Sequence, residues 1–298
     1  MRVLLTGGTG CVGGGVAEAL VSGGHQVAAL VRTPEGVQAM RALGAEAHLG
    51  DLADRHRLLR LIRECDAFVH TAFVVGDHDG GAEIDLIRTA IAALSGTGKP
   101  FVYTSGLWVL GPSGAEPLTE SAPYRPTPLV AFRTRAEDLV LEAVNFGIRS
   151  TIVRPGVVYG GACGLIQLLR DGRDEDGTVV YVGDGGTCWP MVHRDDLGVL
   201  YERALRDAPS GSIWHAVDEP GVPVREIALA LADALGVPGR VRQRDLDDAR
   251  AELGALADAL AENQVVSGAK ARDELGWEPR SPGVLDWLRD GHGGSRTA

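Results

Sequence analysis

The chain has 298 residues, of which 45% are hydrophobic and 23% are charged, a size and composition that suit a large α/β domain with a packed core. Its 29 Lys and Arg residues face 40 Asp and Glu residues, and the net charge of −11 argues against nucleic acid or an anionic membrane as a partner. No stretch contains the ~20 apolar residues that a membrane span needs, and the N-terminal residues lack the features of a signal peptide. We therefore predict a cytoplasmic protein.

The four cysteines, Cys11, Cys65, Cys163 and Cys188, form no CxxC pair and have no His-rich partner spacing. Neither a metal site nor a disulfide framework is indicated. We predict four free thiols in a reducing compartment and no bound metal.

Short apolar segments alternate with amphipathic ones over the first half of the chain. The predicted strands are Arg2–Thr6, His25–Arg32, Glu46–Gly50, Ala67–Thr71, Phe101–Ser105 and Arg149–Val153. The predicted helices between them are Val12–Ser22, Gly36–Leu43, Asp54–Glu64, Ile84–Leu94 and Ala131–Phe146. Such alternation predicts βαβ units and a doubly wound parallel sheet.

The alternation becomes less regular after Pro155. Loops are predicted over 160–164 and 171–177, and strands over Val179–Val182 and Ser212–Val217. Helices are predicted over Asp195–Arg206, Pro223–Leu235 and Leu246–Glu262.

A glycine-rich turn, TGGTGCVG, occupies residues 6–13 between the first predicted strand and the first predicted helix. Glycine allows a tight turn that brings backbone N–H groups to a diphosphate, and the positive end of the helix favours that anion. The position of the motif therefore predicts a dinucleotide site. Its predicted contributors are Gly7, Thr9, Gly10, Cys11, Val12 and Gly13.

The end of the second strand indicates which dinucleotide binds. An NAD site usually has an acidic residue there to bind the ribose 2′-hydroxyl, whereas this chain has Arg32. A guanidinium matches a 2′-phosphate. We predict NADP(H), with NAD(H) as the alternative.

These features predict an α/β, Rossmann-type fold with a smaller C-terminal substrate-binding lobe. Residues 1–160 are assigned to the NADP-binding domain and residues 161–290 mainly to the lobe, with about 178–218 returning to the first domain. Residues 291–298 are predicted to be a disordered tail.

Further motifs along nearly the whole chain resemble those of the extended short-chain dehydrogenase/reductase family, which includes NAD-dependent epimerases and dehydratases. They are GDL at 50–52, HTA at 70–72, RPGVVYG at 154–160, WPMVHRDDL at 189–197 and LGWEP at 275–279. The resemblance implies a nicotinamide cofactor and further contacts to it. The residues implied are Asp51, Leu52, Thr71, Ala72, Pro155, Val157 and Val158.

The resemblance fails at the catalytic dyad. The family carries Tyr-xxx-Lys on the helix after strand five, where the Tyr exchanges the carbonyl proton and the Lys lowers its pKa. Alignment of the family's Lys-Ala-Glu with residues 135–137 puts Arg135 at the Lys position and Ala131 at the Tyr position. Arg135 is then expected to hold ribose or phosphate, and it cannot act as an acid. Gly106 falls at the usual serine position, which leaves Ser105 as the candidate catalytic hydroxyl.

A ketone can be reduced without a protein acid if the substrate supplies the proton. In an aromatic ketone with a neighbouring phenol, an internal O–H···O=C bond polarises the carbonyl. We therefore predict an NAD(P)H-dependent ketoreductase that acts on a phenol-bearing aromatic polyketide-type ketone in antibiotic biosynthesis. The alternatives are a non-catalytic NADP(H)-binding redox sensor, a redox-silent cyclase or isomerase, and a relative of sugar-nucleotide epimerases or dehydratases.

Overall fold

The computed structural model describes residues 1–73 and 79–292. Its strands are β1 Arg2–Thr6, β2 Gln26–Val31, β3 Glu46–Leu49, β4 Ala67–His70, β5 Pro100–Thr104, β6 Arg149–Pro155, β7 Val157–Tyr159, β8 Val179–Val182, β9 Cys188–His193, β10 Ser212–Ala216, β11 Glu219–Pro223 and β12 Val241–Arg244. Its α-helices are α1 Cys11–Ser22, α2 Pro34–Ala42, α3 Arg55–Glu64, α4 Gly81–Leu94, α5 Phe132–Glu142, α6 Gly164–Asp171, α7 Arg194–Asp207, α8 Val224–Ala234, α9 Leu246–Leu253, α10 Ala255–Leu260, α11 Ala269–Leu275 and α12 Val284–Trp287. Short 3₁₀ turns cover Leu107–Val109, Pro128–Val130 and Ala143–Phe146.

The central sheet has seven strands in the order β10-β6-β5-β4-β1-β2-β3. Every pairing within it is parallel, so the carboxyl ends of all seven strands lie at one edge. The strand order reverses between β4 and β1, and in open α/β sheets the crevice at such a switch point is where ligands bind. The predicted α/β, Rossmann-type fold is confirmed.

Helices cover both faces of this sheet, which explains why its strands are apolar along their whole length. In β1, Val3 and Leu5 join the core cluster that contains α1 and α7, whereas Leu4 joins the cluster that contains α3, α4 and α5. All three side chains are fully buried. Among the described residues, no helix is both long enough and apolar enough to cross a membrane.

A third apolar cluster lies outside the central sheet. It joins α6, α8, α9, α10 and α12 to a three-stranded sheet, β11-β9-β7, and a two-stranded sheet, β12-β8. The later part of the chain also contributes β10 to the central sheet and α7 to its covering layer. The domain boundaries predicted above stay a prediction.

The C-terminal half departs from the sequence predictions, which included neither the strands β7, β9, β11 and β12 nor the helices α6, α11 and α12. The single helix predicted over Leu246–Glu262 is wrong, because Gly254 has a φ of +57° and separates α9 from α10. Residues 160–163 are irregular, as predicted, whereas Gly164, the last residue of that predicted loop, begins helix α6. Most of the predicted tail, residues 293–298, lies outside the described residues.

Candidate active site

A cavity of about 500 Å³ opens where β1, β4, β5 and β6 end. Most of its wall is apolar, and it includes Val12, Leu129, Val158, Leu165 and Trp189. Three polar side chains also line it, namely Ser105, Arg133 and Gln264. This combination of an apolar wall with a few polar groups is typical of a small-molecule site.

The glycine turn forms one side of this cavity. Gly7 has a φ of +79°, and a Cβ atom there would lie 2.5 Å from the backbone nitrogen of Ala72, at the end of β4. A Cβ atom on Gly13 would lie 2.0 Å from the carbonyl oxygen of Gly7. The turn can therefore close only with glycine at both positions. It leaves Thr9 and Gly10 exposed in front of the first N–H groups of α1, a cradle that fits a diphosphate.

The other residues predicted to contact the cofactor follow the ends of successive strands. Arg32 and Asp51 are exposed, and Leu52, Thr71 and Ala72 are half-buried. Pro155, Val157 and Val158 line the cavity. The structure therefore brings these residues to the carboxyl edge of the sheet, while their contacts with a cofactor stay predictions.

The two residues that the sequence motif assigns to the dyad do not line the cavity. Ala131 and Arg135 are exposed and lie outside the cavity wall. Leu129 and Arg133 instead line the cavity, four residues apart. An alignment displaced by two residues would put Leu129 at the Tyr position and Arg133 at the Lys position. The periodicity of α5 could have identified Arg133, because it shares the buried face of that helix with Ala136, Glu137 and Val140.

Arg133 is 9% exposed and is held at the cavity wall from one side. Its Nη1 donates to the carbonyl oxygen of Thr104 at 2.8 Å and lies 3.5 Å from the hydroxyl of Tyr103. The rings of Phe132 and Phe73 lie 5.6 Å and 5.7 Å from the guanidinium carbon. Within the described ranges, Nη1 is the only atom of this guanidinium with a protein acceptor, so Nε and Nη2 are available to a bound molecule.

A chain of buried polar groups compensates the charge of Arg133. Tyr103 donates to Oε1 of Glu83 at 2.8 Å, and Oε2 of Glu83 lies 3.5 Å from Nε2 of His70. Nδ1 of His70 lies 2.6 Å from Oγ1 of Thr6. Burial raises the pKa of Glu83, but His70, Arg133 and Tyr103 together hold that pKa below its usual value. A carboxylate therefore lies behind the tyrosine that contacts the guanidinium.

Ser105 follows β5 and is 6% exposed. Its Oγ is buried and has no hydrogen-bond partner among residues 1–73 and 79–292. A buried hydroxyl without a partner is uncommon, and a ligand in the cavity that it lines can provide one. The catalytic role predicted for Ser105 stays a prediction.

The RPGVVYG motif supplies a structural ion pair. Arg154 donates from Nε and Nη2 to the two carboxylate oxygens of Glu137, at 3.0 Å and 2.6 Å, and both side chains are fully buried. Tyr124 donates to the same carboxylate at 2.9 Å, and burial together with Glu137 raises its pKa. Tyr124 is thus bonded away from the cavity and does not substitute for the missing dyad tyrosine.

The prediction of four free thiols is wrong for two of the cysteines. Cys11, in the glycine turn, is joined by a disulfide to Cys163, which directly precedes α6. The two residues are 152 positions apart, so no local spacing could reveal the pairing. Cys65 and Cys188 are free. Within the described ranges, no group of three or more His, Cys, Asp or Glu side chains is arranged to hold a metal ion.

A carboxyl with an altered pKa lies one hydrogen bond away from the cavity. Gln264 donates from Nε2 to the carbonyl oxygens of Leu107 and Gly111, at 2.9 Å and 2.8 Å, and to Oε1 of Glu262 at 3.3 Å. Burial raises the pKa of Glu262 from 4.5 to about 7. Ionisation of Glu262 therefore opposes folding.

We predict that Glu262→Gln stabilises the protein at alkaline pH. Because the pKa of Glu262 is raised in the folded state, its contribution to the free energy of unfolding of the wild type decreases as the pH rises from 4.5 towards about 7. Half-burial reduces the effect, so the variant should gain about 1 kcal/mol over wild type at about pH 8 and little at about pH 5. Urea unfolding at both pH values measures this gain. The exposed control Glu274→Gln should show no such pH dependence, and an equal gain for Glu262→Gln at both values would contradict the prediction.

Comparison with known proteins agrees with this arrangement. The chain matches the NAD dependent epimerase/dehydratase family over residues 3–216. It is 32% identical over 287 residues to an uncharacterised protein of Schizosaccharomyces pombe, covering 94% of this chain and 95% of the relative. It is 30% identical over 318 residues to the 4-hydroxy-2-methyl-3-oxo-4-farnesyl-3,4-dihydroquinoline-1-oxide ketoreductase of Stigmatella aurantiaca, covering 94% and 92%. A structure of dTDP-glucose 4,6-dehydratase from Streptomyces venezuelae with NAD superposes with a TM-score of 0.80 at 24% identity, covering 98% and 96%.

The fold and the glycine turn define a Rossmann-type dinucleotide-binding protein. The chain belongs to the NAD dependent epimerase/dehydratase family. Its curated relatives include reductases and an epimerase, which indicates an enzyme of the oxidoreductase or epimerase type.

Proposed function

We propose that this protein is an NADP(H)-dependent ketoreductase for a phenol-bearing aromatic ketone, and that the substrate replaces the dyad tyrosine as the source of the carbonyl proton. One observation carries the proposal: Leu129 and Arg133 line the cavity where a reductase would carry Tyr and Lys. Within this class we favour an aromatic polyketide of the angucyclinone type made in antibiotic biosynthesis in the cytoplasm. The ketoreductase of simocyclinone biosynthesis, which also lacks the usual catalytic residues, is the family member that suggests it.

The cavity wall suits a flat apolar substrate with a polar edge. Trp108 and Trp189 both line it, and indole rings provide large surfaces for an aromatic ligand. Arg133 offers fixed positive charge and Ser105 a hydroxyl, and both can bond to an oxygen on which negative charge develops. Neither group replaces the dyad tyrosine as a proton donor, because a guanidinium does not deprotonate in proteins and the serine has no base beside it among the described residues.

The chain's own groups also support the choice of NADP(H). The glycine turn would hold the diphosphate, and reduced nicotinamide would supply a hydride to the carbonyl carbon. Arg32 is exposed after β2, and Gly50, after β3, donates its N–H to the carbonyl oxygen of Val31 at 2.9 Å. Arg57 packs against Gly50, and its Nε is buried without a hydrogen-bond partner in the described part of the chain. Two guanidinium groups near the end of β2 favour a ligand with a 2′-phosphate.

The ketoreductase from Stigmatella aurantiaca supports a reductase role, because it shares 30% identity over nearly the whole chain. The competing role, a redox sensor without turnover, has no need for an apolar cavity beside the cofactor turn. We therefore favour turnover over sensing.

The central test compares a phenolic ketone with its methyl ether, in which a methyl group replaces the phenolic proton. An aromatic ketone with a hydroxyl group beside its carbonyl should be reduced with consumption of NADPH, measured by the absorbance of the reduced nicotinamide. Its methyl ether, which has no proton to give, should react about 10²-fold more slowly, the usual contribution of a positioned acid. Equal rates on the two ketones would overturn substrate-assisted protonation. Cofactor binding without oxidation on either ketone would favour the sensor.

A second prediction concerns a Tyr-Lys dyad introduced at residues 129 and 133, which line the cavity. The double variant Leu129→Tyr, Arg133→Lys should raise kcat on the methyl ether at least about tenfold, because a tyrosine supplies the missing proton. The matched control Ala131→Tyr, Arg135→Lys introduces the same residues outside the cavity and should leave that rate unchanged. A larger gain in the control would show that the motif alignment gives the correct positions.

A third prediction concerns the coenzyme. Arg32→Ala should weaken NADPH binding by about tenfold and leave NADH binding nearly unchanged, because only NADPH carries the phosphate that the guanidinium binds. Arg57→Ala should act in the same direction. Fluorescence titration with both coenzymes measures the two dissociation constants. The control is Arg60→Ala, an exposed residue of the same helix as Arg57, and an equal loss for both coenzymes in Arg32→Ala would argue against a 2′-phosphate contact.

A further inference from the structure

The Cys11–Cys163 disulfide joins the cofactor turn to a segment from the other side of the cavity. Cys11 is the first residue of α1, and its backbone belongs to the group predicted to bind the diphosphate. Cys163 directly precedes α6, and Gly164 and Leu165, which follow it, line the same cavity as Cys11. The bridge therefore lies at the boundary between the coenzyme position and the substrate position.

The segment 160–164, which we call the strap, follows β7 and ends at Gly164, the first residue of α6. Three of its five residues are glycines and one is alanine, so its side chains offer few apolar contacts. Its neighbours besides Cys11 include the ring of His193, which lies nearest to Gly160, and the side chain of Arg194, which lies near Gly160 and Gly161. Arg194 is itself bonded to Glu18 of α1 at 2.6 Å. Among the described residues, the disulfide is the one covalent cross-link between the strap and the cofactor turn.

The two bridged cysteines are better placed for thiol chemistry than the two free ones. Both are half-buried, as is Cys188, whereas Cys65 is buried. Cys11 differs from both free cysteines because it lies at the N-terminus of a 12-residue helix, which favours a thiolate when the bridge is open. Burial raises the pKa of the Cys65 thiol and of the Cys188 thiol, so both stay protonated. Exchange with an external disulfide is therefore directed to Cys11 and Cys163.

We propose that Cys11 and Cys163 are a reversible redox pair, and that oxidation by a low-molecular-weight disulfide ties the strap across the glycine turn and restricts entry and exit of the coenzyme. This rests on the coenzyme site of the proposed function. The thiolate of Cys11 attacks the external disulfide, forms a mixed disulfide and releases one thiol. The thiolate of Cys163 then attacks the Cys11 sulfur and releases the second thiol. Two electrons pass from the protein to the external disulfide, and an excess of thiol reverses both steps.

The test compares oxidised and reduced protein. Wild type is equilibrated with oxidised glutathione or with a phosphine reductant, and intact-mass analysis counts the free thiols. Stopped-flow fluorescence then measures NADPH association and dissociation in both states. We expect both rate constants to be about tenfold lower in the oxidised protein, as for a closed lid. Thermal unfolding of the coenzyme-free protein gives a separate measure, because the bridge should raise the melting temperature.

Two variants complete the design. Cys163→Ser should have the fast rate constants and the lower melting temperature under both conditions, and Cys188→Ser, which removes a free cysteine, should respond like wild type. Failure of the bridge to form with oxidised glutathione would overturn the proposal. So would rate constants that agree within about twofold in the two states, a difference too small for a closed strap. If NADPH binds in neither state, this inference and the coenzyme site fail together, whereas redox-dependent binding without ketone reduction defeats only the reductase.

Discussion

The arrangement of the site depends on how a buried positive charge is accommodated. Arg133 lies at the wall of an apolar cavity, where an uncompensated guanidinium would strongly oppose folding. The compensation comes from Glu83 on a different helix, through the hydroxyl of Tyr103. His70 and Thr6 extend the network to the ends of β4 and β1. The guanidinium and the strand ends that form the cofactor crevice are therefore held in one buried framework, and the strand ends fix where the guanidinium lies.

In the proposed function, this framework divides the chemical work between protein and substrate. A Tyr-Lys pair moves a proton, whereas Leu129 has no proton to give and a guanidinium group does not act as an acid in proteins. What Arg133 supplies is a fixed positive potential in a region of low dielectric, where such a potential acts strongly on a developing oxyanion. A carbonyl compound that carries its own acidic hydrogen then needs only orientation beside the hydride donor.

The sequence identified those parts of the site that local rules determine. The glycine turn could be recognised because Gly7 and Gly13 are needed where backbone approaches backbone, and the apolar strands because helices cover both their faces. The tripeptide at 135–137 does not indicate which face of α5 is buried. Glu137 is buried to pair with Arg154, a residue on β6, and this pairing fixes the buried face of the helix independently of that likeness. Side-chain pairs between residues far apart in the chain cannot be predicted from local sequence patterns, and the Cys11–Cys163 bridge is a second example.

Cys11 can take part in redox control without weakening the binding of the coenzyme diphosphate. A diphosphate on a helix N-terminus is bound by backbone N–H groups, so the side chain at that position is not needed for recognition. A cysteine can therefore occupy the turn without loss of the phosphate contacts, and its sulfur is available for a second purpose. Because Gly7 and Gly13 provide the local backbone geometry, a change in the bonding state of Cys11 acts on access to the turn through the strap and leaves the turn itself intact.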